Sequence, residues 1–346
     1  MLSSHNNLYF VNVAKTLGIF LMVLAHLSIP ENLYVFINSF HMPLFFILSG
    51  YLLSAKTLSI PLKAFFAKKA KTLLIPYSIF VVITFLFWYF IGRKFGENMQ
   101  PESNTVKYII GAVLAIPSKE FMEFNLPIWF LPSLFCSEII FYLVHKYCKN
   151  YSFILFILIF GLGIFITENH FARLPYGLDV SLFSLVFIYF GYYLKEKNLI
   201  DKYIIHPSLL YKGITFIVFF ALTVYISSIN DTVLMYQCKM GNYLLFFIGA
   251  ISGTIIILSV SSIIKEYPFF NFYGRNTIII LGFHLMTFSI IKGIQTFVLK
   301  IPLEITAGNL AVDILYSILV FLFLAPVIYL INKYIPFVLG RKSGIV

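Results

Sequence analysis

The chain consists of long apolar segments separated by short polar stretches that contain most of its charged residues. Each segment is close to the ~20 apolar residues that, at ~1.5 Å per residue, cross the ~30 Å hydrocarbon core of a bilayer. The pattern therefore predicts about ten transmembrane helices, and so an all-α, polytopic integral membrane protein. The predicted helices cover residues 11–29, 33–53, 73–92, 126–145, 151–167, 179–195, 212–229, 242–263, 276–298 and 310–332.

The composition agrees with this class of protein. Hydrophobic residues make up 60% of the 346 residues and charged residues only 11%, against about 25% charged in an average soluble domain. The formal charge of +11 lies in short loops beside apolar segments and not in one basic run, so it indicates membrane topology rather than nucleic-acid binding. The long helical runs also disfavour a β-barrel.

The distribution of basic residues predicts the orientation. If the N-terminus is inside, the inner loops contain more than twice as many Lys and Arg residues as the outer loops. The positive-inside rule then places both termini in the cytoplasm. The longest loop, 93–125, falls outside, and its apolar part 106–116 is too short to span. Because we find no soluble region, we expect one membrane domain over residues 1–346, with any chemistry among the helices.

Two ionisable residues share one face of the first predicted helix. Lys15 and His26 are eleven residues apart, which is close to three helical turns and ~16 Å along the axis. His41 follows on the second helix. Ionisable groups at membrane depth cost ~2.5 kcal/mol or more unless they face the bundle interior or water, so they are candidates for a functional site. The alternatives are a snorkelling Lys15, a helix-packing His26, and a His41 that fixes the turn by a hydrogen bond.

The same residues carry a family resemblance. Lys15, ten intervening residues and His26, followed by the Phe-Phe-x-x-Ser-Gly run that ends at Gly50, resemble the membrane acyltransferases of family 3. The run from Ser39 to Phe46 is most similar to the branch that includes fucose 4-O-acetylase-like proteins. Lys15 stands where the family more commonly has Arg. The resemblance implies an O-acyltransferase of the bacterial cytoplasmic membrane that moves an acyl group, most simply acetyl, from cytoplasmic acetyl-CoA to a hydroxyl of a cell-surface or exported sugar or polysaccharide.

Three residues are predicted to act in catalysis. A His is the side chain best suited to take a proton from a sugar hydroxyl near neutral pH, and we assign this role to His26. Lys15 would orient the coenzyme or pair with Glu138, which resembles the acidic residue of the family's fourth helix. A carboxylate at that depth is expected to pair with Lys15, a His or Arg275, or to be protonated.

Three further residues are predicted on the acceptor side, namely His41, Trp129 and Asp179. Trp129 opens the fourth helix and would either anchor it at the membrane interface or stack on a sugar ring. Asp179 would either cap the sixth helix or contact the acceptor sugar.

The coenzyme's phosphates are expected at the cytoplasmic ends of the third and ninth helices, because anionic groups need paired cations. The alternatives are anionic lipid, topology and helix capping. His284 also lies on the ninth helix, in a stretch that resembles the family. The predicted coenzyme contacts are Lys68, Lys69, Lys71, Arg275, Asn276 and His284.

Other chemistries find no support in the sequence. The three cysteines have no metal-ligand spacing, and no nucleophile elbow, phosphate-binding loop or His-Glu-x-x-His pair is present, so we predict no metal. Ser49 before Gly50 fits close helix packing better than nucleophilic attack. A second class of function stays open, because buried His, Glu and Lys residues would also suit a transporter or flippase of a lipid-linked sugar.

Overall fold

The computed structural model describes residues 2–94, 104–169 and 173–341, with side chains from residue 9 onwards. Helices make up 82% of the structure, and the described ranges contain no strand beyond one isolated bridge between Leu234 and Lys239. The predicted all-α class is confirmed. The α-helices are α1 Leu2–Leu24, α2 Glu31–Asn38, α3 His41–Leu52, α4 Ala55–Ser59, α5 Leu62–Lys69, α6 Ile75–Phe87, α7 Thr105–Leu114, α8 Lys119–Met122, α9 Phe130–Tyr147, α10 Ser152–Glu168, α11 Leu178–Glu196, α12 Leu209–Ile229, α13 Tyr243–Ser261, α14 Pro268–Gly274, α15 Thr277–Gly293 and α16 Leu310–Tyr334.

Nine helical stretches in these ranges are long and apolar enough to cross a membrane. They agree with the second to tenth predicted helices, and the first corresponds to α1, whose apolar part Tyr9–Leu24 is shorter. The apolar stretch of the longest predicted loop forms α7. The spanning stretches are Glu31–Leu52, Leu62–Gly92, Lys119–Tyr147, Lys149–Glu168, Pro175–Glu196, Leu209–Ile229, Tyr243–Ser261, Thr277–Val298 and Leu310–Tyr334.

The third spanning stretch begins earlier than the sequence predicts. The predicted helix starts at residue 73, but α5 continues through a π-helical turn, Ala70–Leu74, into α6 without a break. Lys68, Lys69 and Lys71 therefore lie on a helix and not in a loop. A helix fixes the direction of each of these side chains, so Lys69 can point into the bundle while Lys68 and Lys71 remain exposed.

Helix α1 lies inside the bundle and packs against α3, α13, α14, α15 and α16. Small residues allow these close contacts. A Cβ atom on Gly274 of α14 would come within 2.3 Å of the carbonyl oxygen of Asn12. The Asn12 side chain also donates to Asn271 at 2.8 Å. Because α1 is interior, Lys15 and His26 lie within reach of other helices.

The second span is broken where α2 meets α3. Phe40 has φ −142° and ψ −19°, and the helix restarts at His41. Pro43 falls in the first turn of α3, where its missing N–H costs no helical hydrogen bond. The His41 ring donates through Nδ1 to the carbonyl of Ile37 at 3.0 Å, across the break. The structure thus contains the turn-fixing hydrogen bond that is the alternative interpretation of His41.

Helices α3 and α11 touch through their backbones. A Cβ atom on Gly50 would lie 2.0 Å from the carbonyl oxygen of Ile188, and one on Gly191 would lie 1.9 Å from the carbonyl oxygen of Ile47. Backbone atoms cannot rotate away as a side chain does, so the close approach of the two helices requires glycine at both positions.

We expect Gly50→Ala to lower the free energy of unfolding by ~1–3 kcal/mol or more, because the new methyl group overpacks this contact. The apparent unfolding midpoint of the detergent-solubilised protein measures the effect. Gly161→Ala on α10 is the matched control, because its Cβ atom would meet nothing within 4 Å. Equal midpoints for the two variants would contradict the backbone contact.

Candidate functional site

Two imidazole rings meet at one end of the site, and we call His26 and His284 the histidine pair. Their ring centroids are 4.8 Å apart and their planes are inclined by 73°. His26 follows α1 and is exposed, whereas His284 on α15 is 0% exposed. The chain therefore places one accessible ring directly against one that is completely buried.

Backbone carbonyls fix the protons of both rings. The Nδ1 atom of His26 lies 2.7 Å from the carbonyl oxygen of Met22, and that of His284 lies 3.0 Å from that of Leu281. A carbonyl oxygen only accepts, so we assign the proton of each neutral ring to Nδ1 and a lone pair to Nε2. The Nε2 atom of this exposed residue is thus in the form that a general base requires.

The structure places His284 beside His26. The contact of His284 with the coenzyme, which the sequence predicts, stays a prediction. The Nε2 atom of His284 is buried and has no hydrogen-bond partner in the described part of the chain. Sequence spacing cannot show the contact with His26, because the two residues come from opposite ends of the chain.

At the other end of the site, Glu138 of α9 accepts hydrogen bonds from one residue of α3 and one residue of α5. Its Oε1 atom accepts from Lys69 Nζ at 2.7 Å and from Ser49 Oγ at 2.6 Å, and the residue is only 2% exposed. The structure corrects the predicted pairing with Lys15, a His or Arg275. The reason is the early start of α5, which carries Lys69 into contact with α9. The Oε2 atom of Glu138 is buried without a partner in the described residues.

Lys15 is half-buried and has no hydrogen bond or ion pair within the described ranges. The charges that act on it are those of Arg341, Lys69 and Glu138. Two of these three charges are positive and one is negative, so cations outnumber the carboxylate around Lys15. We call Lys15, Lys69, Glu138 and Arg341 the basic cluster. Its excess of positive charge makes this end of the bundle suited to an anion.

Arg341 reaches the basic cluster because the chain turns back towards the start of α15 after α16. Its guanidinium donates to the Asn276 side chain at 3.0 Å, and also to the Asn332 side chain and the Arg275 carbonyl. Burial, and after it the positive charge of Arg275, lower the pKa of this guanidinium. Arg341 could not be identified from the sequence, since no apolar pattern or spacing connects it with the start of α15.

An apolar cavity lies between the histidine pair and the basic cluster. Ile19 and Met22 line it from α1, and they lie on the same helical face as Lys15 and His26. The cavity is narrow, with a volume of about 30 Å³. The other lining residues are Met42, Phe45, Phe130, Thr277, Ile278 and Leu281. The face that the sequence spacing predicts therefore contributes Ile19 and Met22 to the wall of a partly open cavity between helices.

The comparison with protein families agrees with this arrangement. A family model described as an acyltransferase domain, that of acyltransferase family 3, matches residues 8–333. The chain belongs to the acyltransferase 3 family. No curated protein and no solved structure matches the chain. The family resemblance of the sequence is thus confirmed, and the protein is a membrane acyltransferase.

Two acceptor-side candidates of this acyltransferase have structural partners. The Asp179 carboxylate pairs with Arg173, and its Oδ1 atom accepts from the backbone N–H of Val180 at 2.9 Å. Arg173 also donates to the carbonyl of Pro117 at 2.8 Å, so this ion pair connects the start of α11 with the loop between α7 and α8. Trp129 is 5% exposed and packs edge-to-face against Phe130. Neither side chain is exposed as a sugar platform would be, and their contact with an acceptor stays a prediction.

The remaining coenzyme candidates lie around the basic cluster. Lys68, Lys71 and Arg275 are exposed, whereas Asn276 is buried and donates to the carbonyl of Phe272 at 2.7 Å. Gly340 packs against the backbone of Lys71. The acyltransferase thus has these candidates near one end of the bundle. Within the described residues, no group of three or more His, Cys, Asp or Glu side chains could hold a metal ion.

Proposed function

We propose that this acyltransferase moves an acetyl group from cytoplasmic acetyl-CoA to a hydroxyl of a cell-surface or exported sugar or polysaccharide. The observation that carries the proposal is the apolar cavity lined by Ile19 and Met22 of α1. The same helical face carries Lys15, which has no ion-pair partner in the described ranges, one turn before these residues and the exposed His26 one turn after them. A thioester and an alcohol can then approach the reaction from opposite ends.

The basic cluster is suited to the phosphates of the coenzyme. Phosphate binds best where several cations are not already neutralised by carboxylates. Lys15 and the exposed Lys68, Lys71 and Arg275 meet this condition at one end of the bundle. The pantetheine arm would enter the cavity past Ile19 and Met22 and bring the thioester towards His26. The predicted cytoplasmic position of this end agrees with where acetyl-CoA is made.

His26 would then act as the general base. Its Nε2 atom takes the proton of the acceptor hydroxyl while the hydroxyl oxygen attacks the thioester carbonyl. The new C–O bond forms, the C–S bond breaks, and the proton passes from His26 to the coenzyme sulfur. The apolar wall limits the access of water, which would otherwise hydrolyse the thioester.

The cavity lining favours acetyl over succinyl. The eight lining residues are apolar except Thr277, and none is charged. A succinyl group would bring a carboxylate into this space, and a buried carboxylate without a cation is costly. An acetyl group brings no charge. The narrowness of the cavity also fits a small acyl group.

The proposal is tested by mass spectrometry of surface glycans from cells with and without the protein. When an ester forms, acetylation adds ~42 Da per modified sugar, whereas succinylation adds ~100 Da. We expect the ~42 Da difference. Isotopically labelled acetyl-CoA supplied to membranes should deliver the label to the same glycan. Glycans that lose surface abundance but keep the same mass would indicate transport and contradict acyl transfer.

A further inference from the structure

Helix α7 packs against the bundle with one face only. Tyr108 and Gly111 are buried, and a Cβ atom on Gly111 would come within 2.2 Å of the carbonyl oxygen of Phe121 in α8. The opposite side of the helix exposes five aliphatic residues at helical spacing, each between 37% and 65% exposed. We call this surface the α7 face, and its residues are Val106, Ile109, Ile110, Val113 and Leu114.

Two contacts place α7 beside a spanning helix and not beyond its end. Near the start of α7, the Tyr108 ring lies 4.9 Å from the Trp88 ring between centroids. Near its end, the carbonyl oxygen of Ala112 accepts a hydrogen bond from the Tyr77 hydroxyl at 2.7 Å. Tyr77 and Trp88 are eleven residues apart within the span Leu62–Gly92, which is ~16 Å along the helix axis. Helix α7 therefore runs alongside this span.

The part of the span beside α7 is the part that a bilayer must cover. From Tyr77 to Trp88 the sequence contains no charged residue. Its outward side chains include Val82, Ile83 and Leu86, which are 41% to 56% exposed. Exposed aliphatic side chains in an uncharged stretch of a spanning helix contact lipid tails. Since α7 lies beside the same stretch, it lies at the same depth.

We propose that α7 and α8 form a re-entrant pair, which enters the hydrocarbon without crossing it, and that the α7 face contacts the acyl tails of membrane lipids. The ten residues of α7 extend ~15 Å, about half of the ~30 Å hydrocarbon core. The chain then turns at Ala115, whose φ is 49°, and runs back so that Phe121 packs against Gly111. This inference does not depend on the reaction that the protein catalyses.

The turn between the two helices is built as a re-entrant turn must be. Non-helical backbone is tolerated at membrane depth only where it is buried in protein or lines water. Ala115 is 0% exposed and Ile116 is 8% exposed. The Ile116 N–H donates to the carbonyl of Gly111 at 3.2 Å, and the carbonyl of Pro117 accepts from Arg173 at 2.8 Å. The turn is thus enclosed by protein and its polar groups are used.

The two helices of the pair differ in charge. Helix α8 exposes Lys119 and Glu120, whereas the α7 face contains no charged residue. The one lysine of α7, Lys107, turns away from the α7 face and forms an ion pair with Glu120. A charge directed into hydrocarbon would cost ~2.5 kcal/mol or more. The pair therefore directs its charges to the α8 side and its aliphatic residues to lipid.

The re-entrant pair is connected with the wall of the cavity. Just after α8, the Asn125 side chain donates to Thr84 at 3.1 Å and to the carbonyl of Gly282 at 3.0 Å. Gly282 follows Leu281, which lines the cavity. Lipid that supports the α7 face thus supports a segment that touches α15 beside the candidate site.

The test measures the depth of α7 with nitroxide labels in the full-length protein, reconstituted in vesicles of phosphatidylcholine and phosphatidylglycerol. Labels are attached to Val106→Cys and Val113→Cys, whose positions are 63% and 65% exposed and should tolerate a label. Val82→Cys is the control for lipid, and Glu304→Cys, in the exposed loop before α16, is the control for water. Protein without an introduced cysteine, treated in the same way, gives the background.

Collisions with oxygen and with a water-soluble nickel complex report the depth of each label. We expect Val113 to resemble Val82, with frequent oxygen collisions and few nickel collisions, and to lie deeper than Val106 by up to ~10 Å, the helical rise over seven residues. Equal depths at Val106 and Val113 would mean that α7 lies flat at the membrane surface, which overturns the inference. Nickel collisions at Val113 as frequent as at Glu304 also overturn it, because the α7 face would then contact water.

Discussion

Replacing His26 by alanine is expected to reduce acyl transfer by ~10²- to 10⁴-fold, which is the usual contribution of a positioned general base. The loss should appear in kcat, because the exposed ring lies at the far end of the cavity from the basic cluster. Delivery of label from acetyl-CoA to membrane glycan measures it. The protein should still insert and fold, since within the described residues the ring's hydrogen bond is to the backbone of Met22.

His206→Ala is the matched control for this experiment. His206 is also exposed, but it lies between α11 and α12 and forms no part of the site. Its removal should leave transfer unchanged. If His26→Ala retains the activity of His206→Ala, His26 is not the base, and the proton acceptor must be sought elsewhere around the cavity.

Replacing Glu138 by leucine is expected to lower the free energy of unfolding by ~3 kcal/mol or more, because it leaves the Lys69 ammonium in a buried position without its anion. Ser49 loses its acceptor at the same time. The apparent unfolding midpoint of the solubilised protein should fall clearly, and acyl transfer should fall with it.

The double variant Lys69→Met and Glu138→Leu separates stability from function. Exchanging both partners of a buried ion pair for apolar residues is often close to neutral for stability. We therefore expect the midpoint to recover most of its loss while transfer remains low, because the basic cluster has lost two of its members. Recovery of both quantities would show that the pair serves only packing.

The spanning helices are largely predictable from the sequence because their length and apolarity are local properties. The nine spanning stretches agree with the predicted positions, and the main departure is at α5. There the lysine-rich composition indicates a loop, yet the helix begins earlier because Phe65 packs in the hydrophobic core. Tertiary packing overrides the local signal at that point.

The candidate site is predictable only in part. Lys15 and His26 share a face because of their spacing, and the cavity lies on that face. The partners of this face come from distant helices, so His284 and Lys69 could be selected as candidates but not placed. No sequence pattern marks Arg341 as a residue of the site. Spacing fixes which residues share a helix face, whereas contacts between helices depend on how the bundle closes.

The backbone contact between α3 and α11 limits how the bundle can move. With Gly50 and Gly191 each packed against a carbonyl of the other helix, this pair has little room to slide or roll. Helices α3 and α11 must therefore travel as one block. We therefore expect any movement that admits a pantetheine arm to occur at the opposite wall of the cavity, where α15 contributes Thr277, Ile278 and Leu281.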